Sequence, residues 1–385
     1  MRIGFLFNHD QAHQVAHSLP IALALARRGR HAITLGVTSD VVEAEVRRIA
    51  GETIASMKLV RLQPKTGLRQ KLASALDRVV PANRLSIYGD NLDFFRQFDV
   101  LVVSEKTSLA LKTRYGLNGL SIVHSRHGAG DRAIGFSEES KGFDLTLVAG
   151  PKIRDRLIAV GVAPEKIAIT GYVKFDLLPD AAAKLPLQAN GRPTVLYNPH
   201  PSPHLSSWYE WGAKILAQFA DQDRYNLIFA PHVMLFHRPV NFALDKLSAA
   251  RAVPPAPHYA ALPHMLIDLG SEASTDMRYT QAADIYMGDA SSQIYEFLVR
   301  PRPCLFLDAH DTAWRGDPNF LHWEAGPVAT SPDNIIAQVD AAVASHAAFR
   351  VRQEELLAST FDVTGRPAAE RAADAIETLR EGAVA

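Results

Sequence analysis

Short apolar runs alternate with longer amphipathic ones along most of this chain, and the period of each run predicts the element it forms. In residues 1–176 the short runs predict strands over 3–7, 32–37, 58–62, 100–103, 120–123, 145–148 and 167–170. The amphipathic runs predict helices over 14–28, 41–49, 68–79, 92–98, 108–115 and 152–160. Strands separated by helices at this spacing make a parallel, doubly wound sheet. Residues 179–193 are rich in Ala, Pro and Gly, lack a long apolar run, and read as a linker. The alternation then restarts, with strands over 194–197, 226–230, 264–267, 285–287, 304–307 and 328–330 and a helix over 208–219. Helices over 334–344, 350–359 and 368–379 close the chain. The expectation is an α/β protein of two Rossmann-like domains facing a cleft, 1–178 and 194–360. A helical C-terminal tail, 361–385, is expected to pack across them.

One stretch, 283–307, carries the clearest chemical signal. An apolar run ends at Gly288-Asp289-Ala290-Ser291-Ser292, an amphipathic run follows over 294–299, and a second apolar run begins at Cys304. Strand, tight turn and helix in that order put the turn hydroxyls and the first helix N–H groups at the carboxyl edge of a parallel sheet. Unpaired donors and the helix dipole favour an anion there. The alternative is that Asp289, Ser291 or Ser292 only caps the helix.

Composition narrows the class without naming a function. The chain is 47% apolar and 21% charged, and at 385 residues it is long enough for two cores. Forty-one basic residues balance forty-one acidic ones, so overall charge argues for no nucleic-acid partner. Cys304 is the single cysteine, which excludes an intramolecular disulfide and a cysteine-based metal cluster; inside an apolar strand it reads as a core thiol. No apolar run approaches the ~20 residues that span a bilayer. The expected location is the cytoplasm, or at most the membrane surface.

Histidines supply the remaining candidates. His127-Gly128-Ala129-Gly130 follows a predicted strand, where a flexible turn lets substrate approach and an imidazole suits a general base. His232 ends another strand in Ala230-Pro231-His232. His124 is aimed elsewhere by strand alternation, and His200 and His204, beside Pro201 and Pro203, fall in a loop. His13 and His17 have the i,i+4 spacing of one helix face, with His9 nearby, so a metal site is conceivable; no carboxylate partner stands between them, and none is assigned. From Lys65 to Arg84, five cations accompany an apolar stripe, a pattern of either a solvated helix face over a core or a surface for an anionic membrane.

Taken in chain order, these pieces resemble the CDP-glycerol glycerophosphotransferases, which build teichoic-acid-like polymers on a GT-B fold of two Rossmann-like domains. Arg126-His127-Gly128 through Arg132-Ala133-Ile134-Gly135 is similar to the family's Trp-His-Gly and Lys-x-x-Gly stretch. Gly171-Tyr172-Val173-Lys174-Phe175-Asp176 is similar to its Gly-Tyr-Pro-Arg-x-Asp, and residues 283–292 to its Ala-Asp-x-x-x-x-Asp-Tyr-Ser-Ser block. Residues 365–371 are similar to its closing Gly-x-x-x-x-x-Arg. The resemblance implies that His127 is the general base for an acceptor hydroxyl attacking the β-phosphorus of a CDP-alcohol. It further implies that Gly128, Arg132, His232, Ser291 and Ser292 hold the diphosphate while Asp289 braces the turn. The implied partners are a nucleotide-activated donor and a glycan or lipid-linked acceptor, with no resident cofactor or metal. Arg126 replaces the family's Trp, Ala290 its Tyr, and Asn198-Pro199-His200 stands where Ala-Pro-Thr is usual. A sugar-nucleotide glycosyltransferase or epimerase of the same architecture is the alternative.

Overall fold

The computed structural model describes residues 1–9, 11–64, 82–126, 128–132, 135–179, 184–243 and 246–381. His127 and the predicted helix over 68–79 lie outside them, as does most of the basic run beginning at Lys65. The chain divides into two compact units. The first comprises Met1–Gly128, Ile134–Leu178 and Ser359–Ala385, and the second Ala129–Ala133 and Pro179–Ala358.

Seven strands build the sheet of the first unit: β1 (Arg2–Phe7), β2 (Ala32–Val37), β3 (Lys58–Arg61), β4 (Val100–Val103), β5 (Ser121–Ser125), β6 (Leu145–Val148) and β7 (Ile167–Ile169). Their order is β3-β2-β1-β4-β5-β6-β7, every neighbouring pair is parallel, and the central β1 aligns Phe5 with Leu35 on one side and Val102 on the other. The inner strands, buried on both faces, read as near-continuous apolar runs, as parallel sheets do, while the edge strands β3 and β7 are partly exposed. The helix expected over 14–28 is split. Ala12–His17 forms a 3-10 turn and the α-helix proper is Leu19–Arg28, with Pro20 in its first turn, where a missing N–H costs nothing. The i,i+4 geometry inferred for His13 and His17 is therefore not realised.

The C-terminal helix Ala368–Glu381 belongs to this unit. Ala369, Ala372, Ala373 and Ile376, spaced for one helix face, join the core formed with the helix Leu19–Arg28. Above that seam the Arg28 guanidinium reaches Glu370 at 2.7 Å, Asp374 at 2.8 Å and Glu377 at 2.7 Å. Two segments similar to separate family motifs turn out to form one joint. The Asp176 carboxylate accepts the first N–H groups of the helix from Ala368 (3.0 Å) and Ala369 (2.6 Å), and Arg371 donates to the Ile169 carbonyl at 3.1 Å.

The second unit repeats the plan with six parallel strands. They are β8 (Thr194–Asn198), β9 (Asn226–Phe229), β12 (Met265–Ile267), β13 (Ile285–Gly288), β14 (Cys304–Leu307) and β15 (Val328–Ala329), in the order β12-β9-β8-β13-β14-β15. A separate antiparallel ribbon, β10 (Val240–Ala243) with β11 (Ser248–Arg251), was not expected: short, partly exposed strands leave no apolar run to detect. Conversely, the two helices expected over 334–344 and 350–359 are one, Ile335–Thr360. No Gly or Pro interrupts it, and Ser345, the residue most able to compete with the backbone, bonds the Ala341 carbonyl one turn back at 2.7 Å. Among the described residues no helix is long and apolar enough to cross a membrane.

Candidate functional site

The order of the second sheet reverses between β8 and β13. In open α/β sheets ligands bind outside the carboxyl ends of the strands at such a switch point. Three turns leave the sheet there: Asn198-Pro199-His200 after β8, Ala230-Pro231-His232 after β9, and Asp289-Ala290-Ser291-Ser292 after β13. Gly288 permits the close approach of the first and third, since a Cβ at that position would lie 3.0 Å from the Asn198 carbonyl oxygen.

Asp289 holds these turns together. Its carboxylate accepts from the backbone N–H of His200 (2.8 Å), Ser207 (2.7 Å) and Ala290 (2.7 Å) and from the Ser207 hydroxyl (2.9 Å). Its carbonyl accepts from His322 Nε2 and Trp323 Nε1, both at 2.9 Å. Burial raises the pKa of the carboxyl above its ordinary value while the four donors pull it down. Placed to brace the β8 turn and already saturated by protein donors, the carboxylate offers nothing to an anion.

The two Pro-His turns are built alike. Ser202 N–H donates to His200 Nδ1 at 3.0 Å, and Met234 N–H donates to His232 Nδ1 at 3.2 Å. The rings lie 5.9 Å apart, and His232 N–H donates to the Pro199 carbonyl at 3.0 Å, tying one turn to the other. Burial, then the charge of Arg132, pushes His232 down to about 4 and His200 well below its ordinary value. A neutral imidazole with Nδ1 accepting carries its hydrogen on Nε2. Yet Arg132 Nη1 lies 3.0 Å from His200 Nε2, so two N–H donors converge on a ring that has one lone pair when neutral and none when charged. A guanidinium and two neutral imidazoles side by side at this strand edge make a setting that suits an oxyanion.

Arg132 reaches this place because residues 129–133 belong to the second unit. Next to it, buried Asp131 accepts from Tyr295 Oη at 2.6 Å and contacts His322 Nδ1 at 2.9 Å. His322 thus spans Asp131 and the Asp289 carbonyl, anchoring the inserted segment to the β13 turn.

The serines have distinct settings. Ser291 is buried, and its hydroxyl lies a long 3.4 Å from the Gln293 N–H. Ser292, exposed, occupies the N-cap position of the short helix Gln293–Phe297 without a side-chain cap bond, so the capping alternative is not realised by it. Gly128, in the first unit, has the left-handed φ of 73° that favours glycine. Arg126, which replaces the expected Trp, is half-buried against the Phe136 ring at 4.5 Å and donates to the Gly135 carbonyl at 2.7 Å; desolvation, then Arg156, lowers its pKa to about 10. His124 stacks on Phe143, with ring centroids 4.4 Å apart. Cys304 is buried in β14, and burial pushes its thiol up. Among the described residues no three His, Cys, Asp or Glu are placed to hold a metal.

In the sequence His200 is hidden by its flanking prolines, which deny it a helix face. The signal that would have found it is repetition: Pro-His follows two successive strands of the second half.

No protein-family model and no curated protein matches the sequence. Solved structures match along nearly its whole length. A protein assigned as a UDP-N-acetylglucosamine 2-epimerase from Listeria monocytogenes has a TM-score of 0.58 at 14% identity, covering 99% of this chain and 97% of that one. The wall teichoic acid polymerase TagF, soaked with CDPG, has a TM-score of 0.60 at 12% identity over 99% and 89% of the two chains. HepE of Anabaena, in complex with UDP and glucose, has a TM-score of 0.53 at 14% identity over 99% and 100%. At such identities the likeness is one of fold. The protein is an α/β protein of the GT-B kind, with two parallel sheets and a helical C-terminal tail.

Proposed function

We propose that the protein is a transferase whose second unit binds the diphosphate of a nucleotide-activated donor. The observation that carries this reading is the gathering of Arg132, His200 and His232 at the β8/β13 switch point, with Arg132 Nη1 3.0 Å from His200 Nε2 and the His232 Nδ1 occupied so that its Nε2–H is presented. Ser291 and Ser292 extend the site on the β13 side. Positioning and charge stabilisation are what phosphoryl and glycosyl transfer from such donors require of a protein.

Within that class the favoured reading is a CDP-glycerol-type glycerophosphotransferase acting on a glycan or lipid-linked hydroxyl. Support comes from the order of the resembling segments and from the shared fold of a teichoic acid polymerase soaked with CDPG. His127 is the proposed base: the acceptor oxygen bonds to the β-phosphorus, its proton passes to His127, and CMP departs. The second reading, a sugar-nucleotide glycosyltransferase or epimerase, draws on Ala290 in place of the family's Tyr and on the fold shared with HepE in its UDP and glucose complex.

Calorimetry of the full chain against CDP-glycerol, CDP, UDP-sugars and GDP-sugars tests the class, and the nucleotide released on turnover separates the readings. CMP indicates phosphoryl transfer, whereas UDP or GDP indicates glycosyl transfer. If no nucleotide diphosphate binds, the class is wrong. His127→Ala is expected to abolish turnover while leaving donor affinity within about threefold; full turnover in that variant would remove His127 as the base.

A further inference from the structure

The ribbon β10–β11 joins neither parallel sheet, and its two faces are built for different surroundings. In an antiparallel pair, residues opposite each other share a face and neighbours along a strand alternate. Val240 pairs with Arg251 and Phe242 with Ala249, so these four lie on one face. Asn241, Ala243, Ser248 and Ala250 form the other, which is buried or half-buried. That inner face is tied down. Asn241 Nδ2 donates to the Leu235 carbonyl at 2.8 Å and to Tyr209 Oη at 2.9 Å, and Tyr209 Oη donates to the Pro201 carbonyl at 2.7 Å. Trp208 Nε1 donates to the Val253 carbonyl at 3.2 Å, just past the end of β11. Pro201 and Leu235 continue the two Pro-His turns, so the ribbon is fastened to the segments that carry His200 and His232.

The outer face is apolar and open. Phe242 is 68% exposed, Leu247 in the turn 92%, and Val253, two residues past β11, 63%. Single exposed apolar side chains are ordinary, but several on one short element mark a surface made for a partner. Leu247 carries a second, independent cost. Its φ of 48° lies in the left-handed region, which glycine or asparagine would occupy more easily. A residue both strained and fully presented serves something other than the stability of the fold. Charge identifies the partner. Arg238, Lys246 and Arg251 are exposed, and Asp245 is the one acid in the sequence between His237 and Val253. Apolar side chains among cations match an anionic bilayer, where the former enter the headgroup region and the latter meet lipid phosphates. A second copy would oppose this patch with the same cations. Two four-residue strands also offer much less than the ~800 Å² per partner of a standard protein interface.

We propose that the β10–β11 ribbon docks the second unit on an anionic membrane surface, with Phe242 and Leu247 entering the headgroup layer and Arg238, Lys246 and Arg251 meeting its phosphates. The contact stands on the ribbon alone and needs no nucleotide. Under the transferase reading it gains a purpose, because Asn241 and Tyr209 link the ribbon to the Pro-His turns and so hold them at a lipid surface.

Co-sedimentation of the full chain with lipid vesicles, without nucleotide, tests this. The vesicles are equimolar phosphatidylcholine and phosphatidylglycerol, with phosphatidylcholine alone as the control. Binding is expected to the anionic vesicles and should fall as salt rises, since the cations are exposed. Leu247→Gly should weaken it roughly tenfold, the worth of one large apolar side chain leaving water. The same variant should keep the melting temperature or raise it, because glycine accepts the left-handed φ. Phe242→Ser should weaken binding to a similar degree, and Arg251→Gln about fivefold on anionic vesicles only. Three results overturn the proposal. One is no binding to anionic vesicles. Another is binding that all three variants leave unchanged, which assigns it to a different surface such as the basic run from Lys65 to Arg84. The third is self-association abolished by Leu247→Gly without vesicle binding, which makes the ribbon a contact between copies. Failure of the nucleotide screen leaves vesicle binding unaffected, so the two readings fail separately.

Discussion

Two residues with the same local sequence, Pro-His, share one electrostatic setting in the second unit. Each imidazole is kept neutral by burial and by Arg132, and each has its hydrogen directed to Nε2 by a backbone N–H two residues on. Arg132→Ala and His200→Ala are therefore expected to weaken donor binding by about 1.5–3 kcal/mol each, roughly ten- to a hundredfold, because each removes a hydrogen bond to a charged group. Titration calorimetry checks this, and an unchanged dissociation constant in both variants would refute the anion site. The same neutrality has a pH signature. The unfolded chain protonates its histidines near pH 6.5, whereas His232 in the folded protein resists until about 4. Between those values the unfolded state binds more protons, so stability rises with pH through that window and is level above it on account of these rings. Thermal melts across about pH 4.5 to 7.5 should show that slope, and His232→Gln should reduce it, leaving the part due to His200. The pKa shifts were not legible from single residues, since they depend on burial and on Arg132, 68 positions from His200 in the chain.

At the scale of elements, the period of apolar residues predicted nearly every strand within a residue or two, because parallel strands buried on both faces cannot hide in a sequence. The misses have local causes. A helix was cut in two over 345–349 although nothing there breaks one, and a half-exposed ribbon, Val240–Ala243 with Ser248–Arg251, left no apolar run. Some joints between elements were invisible altogether. Arg302, between Pro301 and Pro303, reads as a surface cation but lies half-buried with its guanidinium 3.7 Å from the centre of the Phe297 ring. It donates to the Thr280 carbonyl at 2.9 Å and to the carbonyls of Ala283 and Phe297, closing the ends of two short helices. Burial lowers its pKa to about 9. Arg302→Met keeps the volume but strands those carbonyls, and should cost upwards of about 3 kcal/mol in urea unfolding. A loss under about 1 kcal/mol would show that the carbonyls find other donors.

Across the whole molecule, the chain does not visit its two units once each. It lends residues 129–133 to the second unit and returns at Ser359 to complete the first. The closing helix contributes Ala369, Ala372, Ala373 and Ile376 to the first core, receives its N-cap from Asp176 and holds Arg28 through three carboxylates. A chain ending after Thr360 should therefore lose the cooperative unfolding of the first unit, by calorimetry, while the second unit keeps its transition. A truncated protein with both transitions intact would contradict this dependence. The segments around Asp176 and Arg371 stand out in the sequence as motifs, and the structure explains both by one packing requirement.

What the sequence by itself determined is the succession of elements, because burial on two faces and helical amphipathicity are written into neighbouring residues. It also marked the Asp289-to-Ser292 turn and His232 as places of interest, since strand ends followed by Gly, Pro and Ser are readable locally. Only the tertiary structure decided which strand ends are neighbours. The order of a parallel sheet is fixed by crossovers rather than by chain order, and that order brings His200 beside His232, Arg132 against His200, and Glu105 toward His9. Hydrogen-bond complementarity follows from those adjacencies; it is a property of pairs and is carried by no residue alone.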